Sequence, residues 1–254
     1  MNPSAPTRPL ERSPFLYFLG ERCCRVWVRL RFRRRVEFEA PLDGARAGRV
    51  LVFLYKHQRM GDIPIVGTAI NRHLGLQCSW VMKYSLGNAP LSGWLLQRFG
   101  GVSIIRPTRD RGVAGRRELR DQWEERLAYL ESIVNGRSEP LCLAPEGTRT
   151  PGRMGRPEVG VLLRLIEGGL AHGGLDPGRF PGNALFIPVG LAYGPDPGRP
   201  RREPVTVRFG APMRLRPEDF PPGETASRRE RLMRLLVEPA MAELARLSEM
   251  SIRL

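Results

Sequence analysis

The sequence predicts one α/β layered domain. Short apolar runs that end in turn residues, as buried strands do, alternate with longer stretches whose apolar residues recur at helical spacing. The chain has 254 residues, enough for one large domain, and contains no internal repeat and no linker long enough to divide it. Strands that alternate with helices favour a sheet covered by helices.

The first 35 residues are predicted to precede this domain, which then covers residues 36–254. Residues 1–13 are rich in proline and polar residues and are predicted to be a disordered tail. Residues 14–35 are predicted to form a basic amphipathic helix. The residues of its apolar stripe are Leu16, Leu19, Cys23, Val26 and Leu30. The residues of its basic stripe are Arg22, Arg25 and Arg29. Such a helix is typical of a membrane interface; the alternative is a helix packed on its own domain with solvated arginines.

The most informative stretch is residues 56–62, which follows the apolar run 50–55. That run predicts a buried strand, so His57 lies just after the end of the strand. In α/β proteins, ligands usually bind at the carboxyl ends of the strands. Asp62 follows after four residues, and a tight turn or a first helical turn would bring its carboxylate back to the imidazole. A carboxylate on one ring nitrogen fixes the tautomer and makes the other nitrogen a general base. The alternative is that His57 caps a helix and Asp62 is a solvated loop acid.

The other elements are predicted from the same two patterns. Predicted strands cover residues 36–40, 77–84, 102–105, 141–144, 184–189 and 205–210. Predicted helices cover residues 64–74, 89–99, 108–136, 160–167 and 226–249, the last with a bend at Pro239. Residues 168–181 are predicted to be a glycine-rich connection.

Further predicted strand ends carry charged or conformationally special residues. They are Lys83, Arg106, the polar segment 145–150 with Glu146 and Arg149, and Pro188 with Gly190. The carboxyl ends of parallel strands meet at one end of a sheet, so these residues are candidates for a common site.

The combination of these segments resembles the glycerolipid acyltransferase family. Four blocks occur in the family's order: H-x4-D, G-x-x-I-x-R ending at Arg106, P-E-G-T-R at 145–149, and I-P-V at 187–189. The resemblance covers roughly residues 36–212 and includes glycerol-3-phosphate and 1-acylglycerol-3-phosphate acyltransferases. It implies a glycerol-3-phosphate acyltransferase-like αβα domain with a mixed central sheet.

The resemblance also implies a role for each block. His57 would be the general base and Asp62 would orient it, without the covalent serine of a G-x-S-x-G elbow. Arg106 would pair with a phosphate, for which guanidinium offers a bidentate fork. Glu146, Gly147, Thr148 and Arg149 would complete the acceptor site, Pro188 would line the acyl-thioester side, and Lys83 would have a secondary role. The implied reaction needs no cofactor and uses acyl-CoA or acyl-carrier protein as co-substrate.

Two residues beside the histidine depart from the family pattern. Lys56 and Arg59 stand where the family usually has Asn and Ser. These cations could add affinity for phosphate or carboxylate. The predicted acceptor is a lysophospholipid, with 1-acylglycerol-3-phosphate leading and another lysolipid, such as a lyso-ornithine lipid, as the rival.

The charge and composition limit the classes of function. The net charge is +15, and Lys56 and Lys83 are the only lysines, so an arginine-rich surface is expected to attract phosphate groups. There is no 18-residue uncharged apolar run, and the N-terminus lacks a signal-peptide pattern. The predicted location is the cytoplasmic face of the cell membrane, peripheral or monotopic.

Two hypotheses from other classes remain. A non-catalytic basic module for lipid or nucleic acid would explain the charge but not the ordered strand-end residues, and no nucleic-acid-binding motif is found, so no nucleic-acid partner is predicted. A metal-dependent hydrolase could use His57, Asp62 and Glu146. However, His73 and His172 have no metal-ligand spacing, so no metal site is predicted.

Overall fold

The computed structural model describes residues 12–42, 48–87, 89–104, 116–136, 139–158, 160–173, 176, 178–194, 202–219 and 228–250. Arg106, the predicted tail up to residue 11 and residues 108–115 of the predicted long helix lie outside these ranges.

The structure consists of one sheet with helices on both faces. The strands are β1 (Phe32–Phe38), β2 (Val50–Tyr55), β3 (Ser79–Lys83), β4 (Gly101–Ile104), β5 (Leu141–Leu143), β6 (Ala184–Tyr193) and β7 (Glu203–Phe209). The α-helices are α1 (Pro14–Arg31), α2 (Asp62–Leu74), α3 (Tyr84–Gly87), α4 (Pro90–Arg98), α5 (Arg116–Glu131), α6 (Gly160–Gly173), α7 (Arg228–Leu232) and α8 (Glu238–Leu247). π-Helical turns follow α5 and α7.

The seven strands have the order β1-β7-β6-β2-β5-β3-β4. The strands from β6 to β4 are parallel to one another, while β7 is antiparallel to β6 and β1 is parallel to β7. The sheet is therefore mixed, as predicted. Because β2 lies between β5 and β6 and is buried along its whole length, it forms the centre of the sheet.

The core lies on both faces of the sheet. Alternate residues of β2 face opposite sides because side chains in a strand alternate. Val50, Val52 and Leu54 belong to the cluster formed with α5, α6 and the C-terminal helices. Leu51, Phe53 and Tyr55 belong to the cluster that includes α1 and α2. The predicted layered α/β architecture is thus confirmed for the described part of the chain.

The N-terminal helix is shorter than predicted. It ends at Arg31, and the arginines 33–35 belong to β1 rather than to the helix. Strand β1 pairs with β7 residue by residue, from Phe32 opposite Glu203 to Phe38 opposite Phe209. Arg34 also donates a hydrogen bond to the carbonyl of Ile65, at 3.1 Å. These sheet contacts, rather than local helical propensity, determine the conformation of residues 32–35.

Two further boundaries differ from the prediction. Helix α6 continues to Gly173, so residues 168–173 are helical and not part of a connection. Strand β6 continues past Gly190 to Tyr193. Gly190 is there because α8 packs closely on the strand: a Cβ at this position would lie 2.3 Å from the Cβ of Leu247. The glycine therefore accommodates a helix and does not end the strand.

Helix α1 packs on α2 and leaves most of its large apolar residues in solvent. Tyr17, Gly20 and Val28 face inward. The exposed large apolar residues of the helix are Phe15, Phe18, Leu19, Val26, Trp27 and Leu30. Within the described residues, no helix is both long enough and apolar enough to cross a membrane.

Candidate active site

The carboxyl ends of the parallel strands bring several of the sequence-predicted residues to one end of the sheet. His57 follows β2, residues 145–150 follow β5, and Lys83 is the last residue of β3. Tyr193, which the sequence analysis did not single out, is the last residue of β6. In the strand order β6-β2-β5-β3, the histidine therefore lies between Tyr193 and the loop after β5.

His57 and Asp62 form a hydrogen-bonded pair. The four residues between them make a tight turn, in which the Asp62 amide donates to the Arg59 carbonyl at 3.2 Å, and Asp62 begins α2. The imidazole Nδ1 lies 3.1 Å from Asp62 Oδ2. Asp62 is fully buried, whereas 14% of the His57 side chain is exposed. With Nδ1 donating to the carboxylate, Nε2 is the nitrogen that can accept a proton from a substrate.

The Asp62 carboxylate is surrounded by donors. Oδ2 accepts hydrogen bonds from the backbone amides of Gln58 and Arg59, the latter at 2.6 Å, in addition to the imidazole. Oδ1 accepts a hydrogen bond from the hydroxyl of Tyr193. These donors offset the cost of burying the carboxylate and hold it in one orientation.

The loop after β5 is held by a buried ion pair between Lys56 and Glu146. Lys56 Nζ lies 2.6 Å and 2.8 Å from the two carboxylate oxygens of Glu146, and the side chains are 0% and 1% exposed. Nζ also donates to the carbonyls of Thr150 and Arg153, at 3.0 and 2.8 Å. Burial lowers the pKa of Lys56, while the hydrogen bond and the charge of Glu146 oppose that shift.

These contacts show what Glu146 does in the fold. Its Oε1 also accepts hydrogen bonds from the Thr150 hydroxyl, at 2.6 Å, and from the Gly155 amide. The carboxylate thus ties the loop to the end of β2, and its predicted contact with the acceptor stays a prediction. Both additional cations next to His57 have carboxylate partners, because Arg59 Nη1 lies 2.5 Å from Glu203 Oε1.

The last two residues of the P-E-G-T-R block face solvent. Gly147 has a φ of 61°, a left-handed conformation that glycine adopts without strain, and this turn leaves Thr148 and Arg149 exposed. The Thr150 amide donates to the His57 carbonyl at 3.0 Å, so the loop after β5 is joined directly to the histidine segment.

Of the other predicted residues, Lys83 lies at the carboxyl end of the sheet and Pro188 does not. Lys83 is exposed at the same end of the sheet. Pro188 is buried inside β6, opposite Leu54, and not at a strand end as predicted. The strand end is at Tyr193, and the predicted role of Pro188 on the acyl-thioester side stays a prediction. The described residues contain no group of three or more His, Cys, Asp or Glu side chains that could hold a metal ion.

A family model described as Acyltransferase matches residues 35–172, more than half of the chain. The chain belongs to the acyltransferase family. The match contains the His57–Asp62 pair and the loop after β5, and it ends before Tyr193. A sequence comparison with curated proteins finds no match.

Acyl transfer is chemistry that this site can perform. An acyltransferase of this kind needs a base next to the reacting hydroxyl, and a buried carboxylate that orients the base. The pair of His57 and Asp62 has that geometry at the carboxyl end of the sheet.

Tyr193 is the residue of the site that the sequence analysis missed. The apolar run 184–189 predicts a strand that ends before Gly190, whereas the strand ends at Tyr193. The apolar residues Leu191 and Ala192, which follow Gly190, are the feature of the sequence that indicates a longer strand.

Proposed function

We propose that the protein is an O-acyltransferase that acylates the free hydroxyl of a lysophospholipid. The acyl donor is acyl-CoA or acyl-carrier protein, and the leading acceptor is 1-acylglycerol-3-phosphate, which gives phosphatidic acid. A different lysolipid, such as a lyso-ornithine lipid, is the alternative acceptor.

The main observation behind this proposal is an apolar cleft that borders the turn between His57 and Asp62. Met60 and Gly61, in the spacer between His57 and Asp62, line a cleft of about 320 Å³ together with residues of α1 and with Pro64. Met60 is 63% exposed, and a Cβ on Gly61 would lie 3.1 Å from the Trp27 ring. The turn that joins His57 to Asp62 thus borders an apolar surface that is open to the outside, which suits a substrate with a lipid chain and a polar headgroup.

In the proposed reaction, His57 Nε2 accepts the proton of the acceptor hydroxyl while the oxygen attacks the thioester carbonyl. A C–O bond forms, the C–S bond breaks, and the proton passes to the leaving thiolate. The carboxylate of Asp62 stabilises the imidazolium that forms in between. Because the thioester is already activated, the reaction requires no cofactor.

Cations around the site support an anionic acceptor. Arg149 and Lys83 are exposed at the carboxyl end of the sheet and are proposed to contact the headgroup, and Arg106 is proposed to pair with its phosphate. Thr148 and Gly147 are proposed to contact the same group through a hydroxyl and a backbone amide.

The proposal includes a peripheral or monotopic position on the cytoplasmic face of the membrane, with α1 lying in the interface. Phe15, Leu19, Val26 and Leu30 lie on one face of this helix and are between 47% and 71% exposed. Arginines of the helix and the net charge of +15 favour anionic lipid.

Acidic substitutions in this apolar stripe are expected to weaken membrane binding. Val26→Glu with Leu30→Glu should lower partitioning onto anionic vesicles by about tenfold or more, because each buried apolar side chain contributes about 1.5–3 kcal/mol. The measurement is co-sedimentation with phosphatidylglycerol-containing vesicles. The matched control is Arg164→Gln with Arg234→Gln, which changes the net charge equally on the helices that cover the opposite face of the sheet. If both double variants lost vesicle binding equally, net charge alone would explain the loss, and the proposed role of the apolar stripe would be contradicted.

Thiol release in mixed micelles tests the proposed reaction. The purified protein is expected to release free CoA from palmitoyl-CoA only when a lysolipid is present, with phosphatidic acid identified by mass spectrometry when 1-acylglycerol-3-phosphate is the acceptor. A parallel series with palmitoyl-acyl-carrier protein and with lyso-ornithine lipid identifies the donor and the acceptor. Absence of lysolipid-dependent release with both donors would contradict the proposed function.

A further inference from the structure

The second oxygen of the Asp62 carboxylate has its own partner. Oδ2 receives the imidazole and two backbone amides, whereas Oδ1 receives the hydroxyl of Tyr193. Rotation about the Cβ–Cγ bond moves both oxygens, so the donor on Oδ1 adds to the resistance that the three donors on Oδ2 already offer. Because the turn after β2 holds Oδ2 and the last residue of β6 holds Oδ1, the Asp62 carboxylate has one orientation.

The Tyr193 ring is itself held by contacts with two other segments, the turn after β2 and the start of β1. The guanidinium of Arg59 lies over its ring, 4.1 Å from the centroid, and Arg59 Nη1 is 2.5 Å from Glu203 Oε1 at the start of β7. The ring of Phe32, the first residue of β1, lies 6.4 Å away. Arg59 belongs to the turn that joins His57 to Asp62. The Tyr193 side chain therefore contacts this turn through its ring and Asp62 through its hydroxyl.

The Tyr193 hydroxyl acts as a permanent donor. Burial and the negative charge of Asp62 raise the pKa of the phenol well above its usual value. The phenol is therefore protonated at every pH at which the protein would work, and its proton points to a carboxylate that lacks any exposure to water.

We propose that Tyr193 is a positioning residue for the acyltransferase reaction. Its hydroxyl fixes the plane of the Asp62 carboxylate, and the carboxylate in turn fixes the ring orientation and the tautomer of His57. Arg59 contributes by holding the phenol. The inference rests on the proposed roles of His57 and Asp62 in acyl transfer, and it assigns a role to a residue outside the H-x4-D motif.

Tyr193→Phe removes the hydroxyl and keeps the ring under Arg59. The expected result is a fall in kcat of about tenfold to hundredfold, which corresponds to the loss of one hydrogen bond to a charged group. The KM values for donor and acceptor should stay within about twofold, because the hydroxyl bonds to Asp62 and is proposed to act through His57 in the transition state. Tyr17→Phe is the matched control: it removes the hydroxyl of another buried tyrosine, which accepts a hydrogen bond from the Cys78 amide just before β3, at the opposite end of the sheet, and kcat should stay within about twofold of wild type.

A double variant separates positioning from a general loss of stability. In an Asp62→Asn background, Tyr193→Phe should lower kcat by less than about twofold, because residues that act through one another are not additive. The same fall in both backgrounds would mean that the hydroxyl acts on the fold alone and would overturn the inference. Thermal unfolding of each variant ensures that kcat is measured on folded protein.

The outcomes also distinguish this inference from the proposed function. If wild type shows no lysolipid-dependent thiol release, the proposed function fails. If wild type is active and His57 is required, but Tyr193→Phe has the kcat of wild type, only the inference about Tyr193 fails.

Discussion

Replacing His57 with glutamine is expected to lower the kcat of acyl transfer by about 10²–10⁴-fold, the usual contribution of a positioned base. Glutamine can keep a hydrogen bond to Asp62, but it cannot accept the proton of the acceptor hydroxyl. The KM values should change little, because the base acts in the transition state and not in substrate binding. The measurement is the rate of thiol release at saturating donor and acceptor.

The chain offers a matched control for this substitution. His73, near the end of α2, is exposed, and its ring lies 5.9 Å from that of Phe38, away from the carboxyl end of the sheet. His73→Gln makes the same chemical change and should leave kcat unaltered. If His57→Gln retained most of the wild-type activity, His57 would not be the base. If lysolipid binding persisted without any acyl transfer in wild type, the hypothesis of a non-catalytic basic module would gain support.

The pair of His57 and Asp62 could be predicted from the sequence because its geometry is local. A buried strand, a four-residue spacer and the first turn of a helix bring the two side chains within hydrogen-bonding distance, and the distant Tyr193 adds a contact to a pair that is already formed locally. The alternation of strands and helices likewise predicted the layered architecture, since both periodicities are local properties. Loops after parallel strands then converge for topological reasons.

Contacts between distant segments could not be predicted in this way. Tyr193 and Asp62 are 131 positions apart, and Lys56 and Glu146 are 90 apart. Next to a predicted active site, Lys56 suggests added affinity for phosphate or carboxylate and Glu146 a contact with the acceptor, because the sequence does not show that the two side chains neutralise each other. Residues 32–35 are predicted to continue the N-terminal helix, but pairing with β7, which the sequence does not reveal, makes them a strand.

Replacing Lys56 with methionine is expected to destabilise the protein by about 3–5 kcal/mol, because it leaves the Glu146 carboxylate buried without a cation. The Thr150 hydroxyl and the Gly155 amide would remain as donors, but neither carries a charge. The free energy of unfolding, measured by urea denaturation, gives the loss directly.

An exposed ion pair provides the control. Arg35 Nε lies 2.8 Å from Glu37 Oε1, and the two side chains are 78% and 33% exposed. Arg35→Met removes one positive charge, as Lys56→Met does, but the carboxylate left behind is 33% exposed and keeps Arg208 Nε at 2.9 Å, so the expected cost is below about 1 kcal/mol. Similar losses in the two variants would mean that burial of the Lys56–Glu146 pair has no special consequence.

The double variant Lys56→Met with Glu146→Gln should recover at least half of the lost stability, because the buried charge is removed while the amide can still bond to Thr150. Its activity then separates the two roles of Glu146. The loop that Glu146 holds also carries the exposed Arg149. If the carboxylate serves only to hold this loop, the double variant should keep the KM of wild type for the acceptor. A raised KM in a protein of restored stability would instead support the predicted contact between Glu146 and the acceptor.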